Sequence, residues 1–186
     1  MLISKFVTCN IEEKIESVER KYEIVFSEQY KDFLIRYNGG YTPKTKFKAG
    51  KISSDVRGFF GFGDVKLSID TIEMEEWLEK NVFPVGCDSF GNYIVIGVGN
   101  ENFGKIYFCN HEKENEIKNI TADFNGFISI CKSEKISDAS RRSIIEREEA
   151  LIAKGRGHII TDELRRMWQE EIDKFANMIQ EEVIIK

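Results

Sequence analysis

The sequence predicts an α+β protein in which amphipathic helices and hairpin-linked strands share one chain. Apolar residues recur at helical spacing near the start of the chain. In the middle, three apolar runs are joined by short turns rich in glycine and asparagine, a pattern typical of β-hairpins. From Ser137 onward, charged residues with helical periodicity replace the strand signals. The chain has 186 residues, 41% of them hydrophobic, which is enough for one core and an appendage.

Two helices are predicted before residue 40. The first covers residues 11–22, and its apolar positions are Ile11, Ile15, Val18 and Tyr22. We expect Ser27 to cap the second helix. The apolar face of that helix comprises Tyr30, Phe33, Leu34 and Tyr37. Asn38-Gly39-Gly40 ends it, because glycine readily takes the left-handed conformation that follows a helix.

Strands and two further helices are predicted over residues 44–128. Residues 44–65 are predicted as strands with turns, and a capping-box pattern at Asp70 predicts a third helix that ends near Asn81. Strands follow at 83–87, 92–98, 104–109 and 116–120. In the Asp88–Gly91 turn, we expect the side chains of Asp88 and Asn92 to satisfy turn amides rather than to bind calcium. Asp123 then caps a short helix.

The C-terminal region is predicted to be helical over residues 137–153 and 161–183, with Thr161 as an N-cap. An apolar stripe at steps of three and four comprises Leu164, Trp168, Ile172, Phe175, Ile179 and Val183. Such a stripe is buried either on the domain or against a partner. We therefore expect an α+β domain over residues 1–136 and a helical extension over residues 137–186, packed on that domain.

Composition excludes several classes of function. The net charge of −5 argues against a protein that binds nucleic acid through phosphate contacts, and it leaves room for a basic partner. The four cysteines contain no Cys-x-x-Cys pair, so we predict no zinc site and reduced thiols in a cytoplasmic protein. We expect no signal peptide, and no apolar run is long enough to span a membrane.

The sequence offers no recognisable catalytic set. His111-Glu112 invites a metal or acid–base interpretation, but the second histidine, His158, is distant in the sequence. The short glycine pairs at 61–63 and 97–99 complete no phosphate-binding motif, so we interpret them as turns or bulges. We therefore predict no enzyme activity, no catalytic residue, no metal and no cofactor.

Two groups of side chains could bind a partner. The acidic group comprises Glu73, Glu75, Glu76, Glu79, Glu112 and Glu114. It is either ordinary solvated charge or an anionic face that attracts a basic partner. The aromatic group comprises Tyr41, Phe59, Phe60, Phe62 and Trp77. Core packing is the default interpretation of these rings, and interface anchoring is the alternative.

Four segments of the chain resemble motifs of the SUKH superfamily, in particular its cell-wall-assembly-regulator-like (Smi/Knr-type) branch. Residues 33–40 resemble "FL-x-x-Y-N-G-G", and residues 83–94 resemble "P-I-A-x-D-x-x-G-N-x-I". Residues 104–112 are similar to "G-x-V-Y-x-W-D-H-E", and residues 122–128 to "A-x-S-F-x-x-F-L". The matching structural positions are Phe33, Leu34, Tyr37, Asn38, Gly39, Gly40, Pro84, Asp88, Gly91, Asn92, Phe124 and Phe127. Phe26-Ser27 and Cys109-Asn110 depart from the family pattern, and the two C-terminal helices lie outside it.

The resemblance implies a mainly antiparallel sheet flanked by helices, and a non-enzymatic role. Bacterial members of the superfamily are typically immunity proteins that bind and neutralise a cognate polymorphic toxin, often a nuclease. The expected partner is therefore a toxin protein of basic character. The alternative is a general protein-binding or regulatory scaffold of the same fold. The sequence names neither the toxin nor the oligomeric state.

Overall fold

The computed structural model describes residues 1–113, 116–176 and 178–185. It has two compact units, the first formed by Met1–Glu134 with Gln180–Lys186 and the second by Lys135–Ile179. The first unit is an α+β domain in which an antiparallel sheet carries flanking helices, so the predicted fold class is confirmed. That the helical extension packs on the domain stays a prediction.

The sheet of the first unit has the strand order β7-β6-β5-β4-β3-β2-β1-β9, and β8 pairs with β2. All these pairings are antiparallel. The strands are β1 (Leu2–Lys5), β2 (Gly40–Ala49), β3 (Ile52–Phe59), β4 (Val82–Cys87), β5 (Tyr93–Gly97), β6 (Ile106–Asn110), β7 (Glu116–Thr121), β8 (Lys132–Ser133) and β9 (Glu181–Glu182). The helices of this unit are α1 (Ile11–Tyr22), α2 (Glu28–Tyr37), α3 (Glu75–Glu79) and α4 (Phe124–Ile130).

The core of the first unit is built largely from phenylalanine and tyrosine rings on α2, α4 and the sheet. Phe33 on α2 packs against Phe59 and Phe124, with ring centroids 5.0 and 5.1 Å apart. Phe47 of β2 meets Phe127 of α4 at 5.4 Å. Because each ring buries a large apolar area, these contacts hold α2 and α4 on the sheet.

The ends of α2 differ from the expectation in detail. Ser27 stands at the N-cap position, but its hydroxyl makes no cap hydrogen bond, and the side chain lies beside Gly104. At the other end the first left-handed residue is Asn38, with φ of 49°, rather than a glycine. The Asn38 amide accepts a hydrogen bond from the Phe62 N–H (2.8 Å) and donates to the Phe62 carbonyl (3.0 Å). These two bonds compensate the unfavourable backbone conformation of Asn38.

The predicted third helix over residues 70–81 is wrong. Ser68, not Asp70, caps a short 3-10 turn at Ile69–Thr71, after which Ile72 is extended and α3 covers only Glu75–Glu79. The Asp70 carboxylate accepts from the Gly63 N–H (3.3 Å) instead of capping a longer helix. Contacts with a neighbouring loop therefore override the local capping pattern.

Over its described residues, the second unit carries the α-helices α5 (Ile144–Ala153) and α6 (Asp162–Phe175) together with short 3-10 turns. Ser143 and Glu146 form a capping box on α5, and the Thr161 hydroxyl accepts from the Leu164 N–H on α6 (3.1 Å). Two ion pairs join the helices, Arg147 with Glu171 (2.9 Å) and Arg165 with Glu148 (2.6 Å).

The predicted helix over residues 161–183 is too long. It ends at Phe175, so Ile179 and Val183 do not continue the apolar stripe of α6. Val183 instead donates its N–H to the Met1 carbonyl (2.9 Å), next to the β9–β1 pairing. The Tyr37 hydroxyl accepts from the Ile184 N–H (2.8 Å). Pairing with the sheet edge satisfies these backbone groups and stops the helix.

Candidate functional site

The turn between β4 and β5 presents an aromatic side chain to solvent. Phe90 lies in the middle of this turn and is 70% exposed. We call residues 88–92, together with His111 and Glu112 of the neighbouring β6–β7 connection, the hairpin tip. Both connections lie at the same end of the antiparallel sheet.

The Asp88 carboxylate organises the hairpin tip from within. It is only 1% exposed, and one oxygen accepts from the N–H groups of Phe90 (2.9 Å) and Asn92 (2.8 Å). The other oxygen accepts from the Ser54 hydroxyl (2.7 Å) and the Asn92 amide (2.6 Å). The expectation that Asp88 satisfies turn amides is confirmed. A buried carboxylate with this many donors locks the turn in one conformation.

Further contacts tie the β4–β5 turn to β3 and to the β6–β7 connection. Asp55 of β3 accepts from the N–H (3.2 Å) and the hydroxyl (2.5 Å) of Ser89. The Asn92 side-chain oxygen accepts from the His111 N–H (3.1 Å) and lies 2.8 Å from His111 Nδ1. Gly91 has φ of +89°, a conformation that L side chains rarely adopt. The backbone on both sides of Phe90 is therefore fixed, although its ring is free in solvent.

The structure places the described members of the predicted acidic group on two segments, α3 with the residue before it and the β6–β7 connection. Glu73, Glu75, Glu76 and Glu79 are all exposed on or beside α3. Trp77 of α3 packs on Tyr93 with ring centroids 5.0 Å apart, and Tyr93 directly follows the hairpin tip. Glu112 is exposed within the tip itself. Glu114 lies outside the described residues. That these carboxylates bind a partner stays a prediction.

The predicted aromatic group is divided by burial. Phe59, Phe60 and Phe62 are buried, in agreement with the default interpretation as core. Tyr41 and Trp77 are half-buried. The aromatic residue that solvent reaches most at the site is instead Phe90, which the sequence-based group omitted. The position of Phe90 within the Asp88–Gly91 turn is the sequence signal for its exposure, because a tight hairpin turn lies beyond the ends of its strands.

The residues matched to the SUKH motifs shape the scaffold behind the tip. Phe33, Leu34, Phe124 and Phe127 are fully or almost fully buried. Gly39 permits a close backbone approach, because a Cβ there would stand 2.5 Å from the Phe60 carbonyl oxygen. The remaining matched positions are Tyr37 at the end of α2, Asn38 directly after it, Gly40 at the start of β2, Pro84 on β4, and Asp88, Gly91 and Asn92 in the hairpin tip.

The site offers contact rather than reactive groups. Within the part of the chain that the structure describes, no three histidine, cysteine, aspartate or glutamate side chains cluster as metal ligands would. Burial raises the pKa of Cys87 to about 11 and that of Cys131 to about 12. Thiols with such pKa values stay protonated and are poor nucleophiles near neutral pH. No described helix is long and apolar enough to cross a membrane.

These observations define an α+β domain on one antiparallel sheet, with a rigid hairpin tip that presents an aromatic ring. The family model described as SMI1-KNR4 cell-wall (SUKH_6) matches residues 12–128, more than half of the chain. The chain therefore belongs to this family, and the resemblance to the SUKH superfamily is confirmed. No curated protein and no solved structure gives a significant match to the chain.

Proposed function

We propose that this protein is a non-enzymatic immunity protein that binds a cognate toxin protein and neutralises it. The observation that carries the proposal is the hairpin tip, where a rigid backbone holds Phe90 exposed in a domain of the SUKH family. Toxin neutralisation is the typical role that the resemblance implies for bacterial members.

The hairpin tip has the physical properties of an interface anchor. A side chain on a pre-ordered backbone loses little conformational entropy on binding, so more of its contact energy appears as affinity. Aromatic anchors that enter a pocket of the partner contribute a large share of interface energy. Phe90 is such an anchor, because the bonds of Asp88 and Ser89 fix the backbone beside it.

The exposed acidic side chains of the first unit favour a basic partner. Glu112 belongs to the tip, and further exposed glutamates lie on α3, whose Trp77 ring packs on Tyr93. Carboxylates at the rim of an interface mainly accelerate association with a positively charged surface and set its orientation. A basic toxin would be captured quickly and then held by contacts with the tip.

The experiment is affinity capture of the tagged chain from its native cells, with mass spectrometry of the retained proteins. Each retained protein is then expressed alone and together with this chain in a host, and growth is followed. A stoichiometric partner that stops growth alone, and not in the presence of the chain, supports the proposal. Retained proteins that are all harmless to the host contradict it.

A scaffold function is the second candidate, and the second unit favours it. α5 and α6 expose the apolar side chains of Ile145, Ile152 and Met167. Exposed apolar residues on helices can dock a partner helix. Under this candidate, the double substitution Ile152→Glu and Met167→Glu abolishes capture of the partner, whereas Phe90→Ala leaves capture unchanged. The immunity proposal predicts the reverse pattern.

A further inference from the structure

Exposed lysines gather along β2 and the neighbouring end of β8, although the protein as a whole is acidic. Lys44, Lys46 and Lys48 are exposed, while Thr45 and Phe47 between them are buried. β8 pairs with β2 so that Lys132 stands directly opposite Lys46. We call Lys44, Lys46, Lys48 and Lys132 the lysine strip.

The charges of the lysine strip are not neutralised within the described residues. None of the four lysines forms an ion pair there, whereas Lys5, Lys31 and Lys118 each pair with a glutamate. Asp55 stands opposite Lys46 on β3 and offsets part of its charge, although the two form no ion pair among the described residues and the Asp55 carboxylate also accepts the N–H and the hydroxyl of Ser89. Like charges directly opposite each other on paired strands are destabilising. The fold tolerates Lys46 opposite Lys132, so an external anion would relieve the repulsion.

The strip borders a groove that can receive such an anion. The groove has a volume of about 440 Å³. Its lining combines lysine side chains with Ser53, Ser129 and the apolar Ile130. The Ser129 hydroxyl already donates to the Gly126 carbonyl (2.7 Å), so the ammonium groups and the Ser53 hydroxyl are the donors that suit carboxylates. The apolar Ile130 side chain suits the carbon atoms of a polypeptide.

We propose that the lysine strip binds an acidic, extended segment of a partner polypeptide. Lys46 and Lys48 lie two residues apart on a strand, which spaces them by about 6.6 Å. An extended segment with an acidic residue at every second position presents carboxylates on one face at the same spacing. Sites for single-stranded nucleic acid combine positive charge with aromatic stacking platforms. The only aromatic residue that lines the groove among the described residues is Phe47, which is buried. A polypeptide therefore fits the groove better than a single-stranded nucleic acid does.

This inference does not depend on the proposed immunity function, because it concerns a different surface and has its own probe. The probe is a fluorescein-labelled dodecapeptide of alternating glutamate and serine, titrated with the full chain and followed by fluorescence anisotropy. Titrations at low and high sodium chloride measure the electrostatic component, which salt screens for exposed charges.

Charge reversal at the strip is compared with an equal change elsewhere. The test variant carries Lys46→Glu and Lys48→Glu, and the matched control carries Lys66→Glu and Lys105→Glu, which are also exposed lysines of the first unit. A further variant with Lys46→Gln and Lys48→Gln removes charge without adding carboxylates. Thermal unfolding of each variant verifies that it is folded.

We expect the unmodified chain to bind the peptide in a salt-dependent manner, the test variant to bind at least about tenfold more weakly, and the control to stay within about twofold. The glutamine variant is expected to lie between them. Equal losses in test and control variants would attribute binding to net charge and overturn the assignment. Absence of peptide binding would do so as well. Tighter binding of a DNA duplex with the same dependence on Lys46 and Lys48 would assign the strip to nucleic acid instead.

Discussion

Replacement of Asp88 by asparagine tests the physical basis of the rigid hairpin tip. The carboxylate is buried and accepts four hydrogen bonds, two of them from backbone N–H groups of the turn. In Asp88→Asn, the side-chain oxygen can keep the two backbone bonds. The new NH₂ group then faces two groups that donate to Asp88 in the unmodified protein. The Ser54 hydroxyl can turn and accept a hydrogen bond instead, but the Asn92 NH₂ group remains a donor that faces a donor.

The expected destabilisation follows from that pair of facing donors. A hydrogen bond to a charged group contributes about 1.5–3 kcal/mol, and a buried donor without an acceptor adds its own desolvation cost. The Ser54 bond survives by reversal, so the loss is concentrated at Asn92. We therefore expect Asp88→Asn to lower the free energy of unfolding by about 2–3 kcal/mol. For a chain of this size the melting temperature should fall by about 4–12 °C.

The assay is urea unfolding at pH 7, followed by circular dichroism and by tryptophan fluorescence. The matched control is Asp55→Asn. The Asp55 carboxylate also accepts hydrogen bonds from the hairpin tip, but Asp55 is half-buried, so water can replace the bonds that the substitution removes. We expect the control to cost about 1 kcal/mol or less. A loss below about 0.5 kcal/mol for Asp88→Asn, or an equal loss in both variants, would refute the argument that buried Asp88 organises the turn.

Three other predictions concern buried groups and the sheet edge. The Tyr30 hydroxyl is buried and has no hydrogen-bond partner among the described residues. In urea unfolding, Tyr30→Phe should therefore leave the free energy of unfolding unchanged or raise it by about 1 kcal/mol. A decrease of more than about 1 kcal/mol would show that the hydroxyl is hydrogen-bonded. Tyr37→Phe removes the hydroxyl that contacts residues 182–184, so backbone amide exchange over this segment should accelerate while the sheet stays protected. Of the thiols, exposed Cys9 should react rapidly with a disulfide reagent at pH 8 and buried Cys131 only after denaturation. Burial raises the pKa of Cys131 from an ordinary value of 9.0 to about 12 in the folded state, so the unfolded chain loses this proton at lower pH. The free energy of unfolding should therefore decrease as the pH rises above 9, and Cys131→Ala should flatten that decrease.

Local patterns predicted the central part of the fold well. The 3.6-residue periodicity of Tyr30, Phe33 and Tyr37 and the following Asn-Gly-Gly predicted α2 and its end, and the helix covers Glu28–Tyr37. Likewise, the apolar runs around a tight turn predicted β4 and β5. These elements agree with the sequence because their own residues carry the decisive interactions.

Elements that depend on distant contacts could not be predicted in this way. β1 pairs with β2 and with β9. Because β9 consists of only two glutamates, it lacks the alternation of apolar and polar residues by which a strand is predicted. Asp70 looked like a helix cap, but its carboxylate turns to the Gly63 N–H in a neighbouring loop.

At the candidate site, the hydrogen bonds of Asp88 with its own turn could be predicted from the local sequence. An aspartate at the start of a turn commonly accepts hydrogen bonds from the backbone N–H groups of residues that follow it in the turn. The hydrogen bonds of the β4–β5 turn with Asp55 and His111 join segments that are distant in the sequence, and only the folded sheet brings them together.

The proposed neutralisation of a toxin through Phe90 is tested by growth of host cells. The cells express the captured toxin together with the unmodified chain, the Phe90→Ala variant or the Phe103→Ala variant. Phe103 is the matched control, because it is also exposed but lies in the β5–β6 connection at the other end of β5. We expect the unmodified chain and Phe103→Ala to restore growth, and Phe90→Ala, folded and present at equal level, to fail. Full rescue by Phe90→Ala would contradict the account.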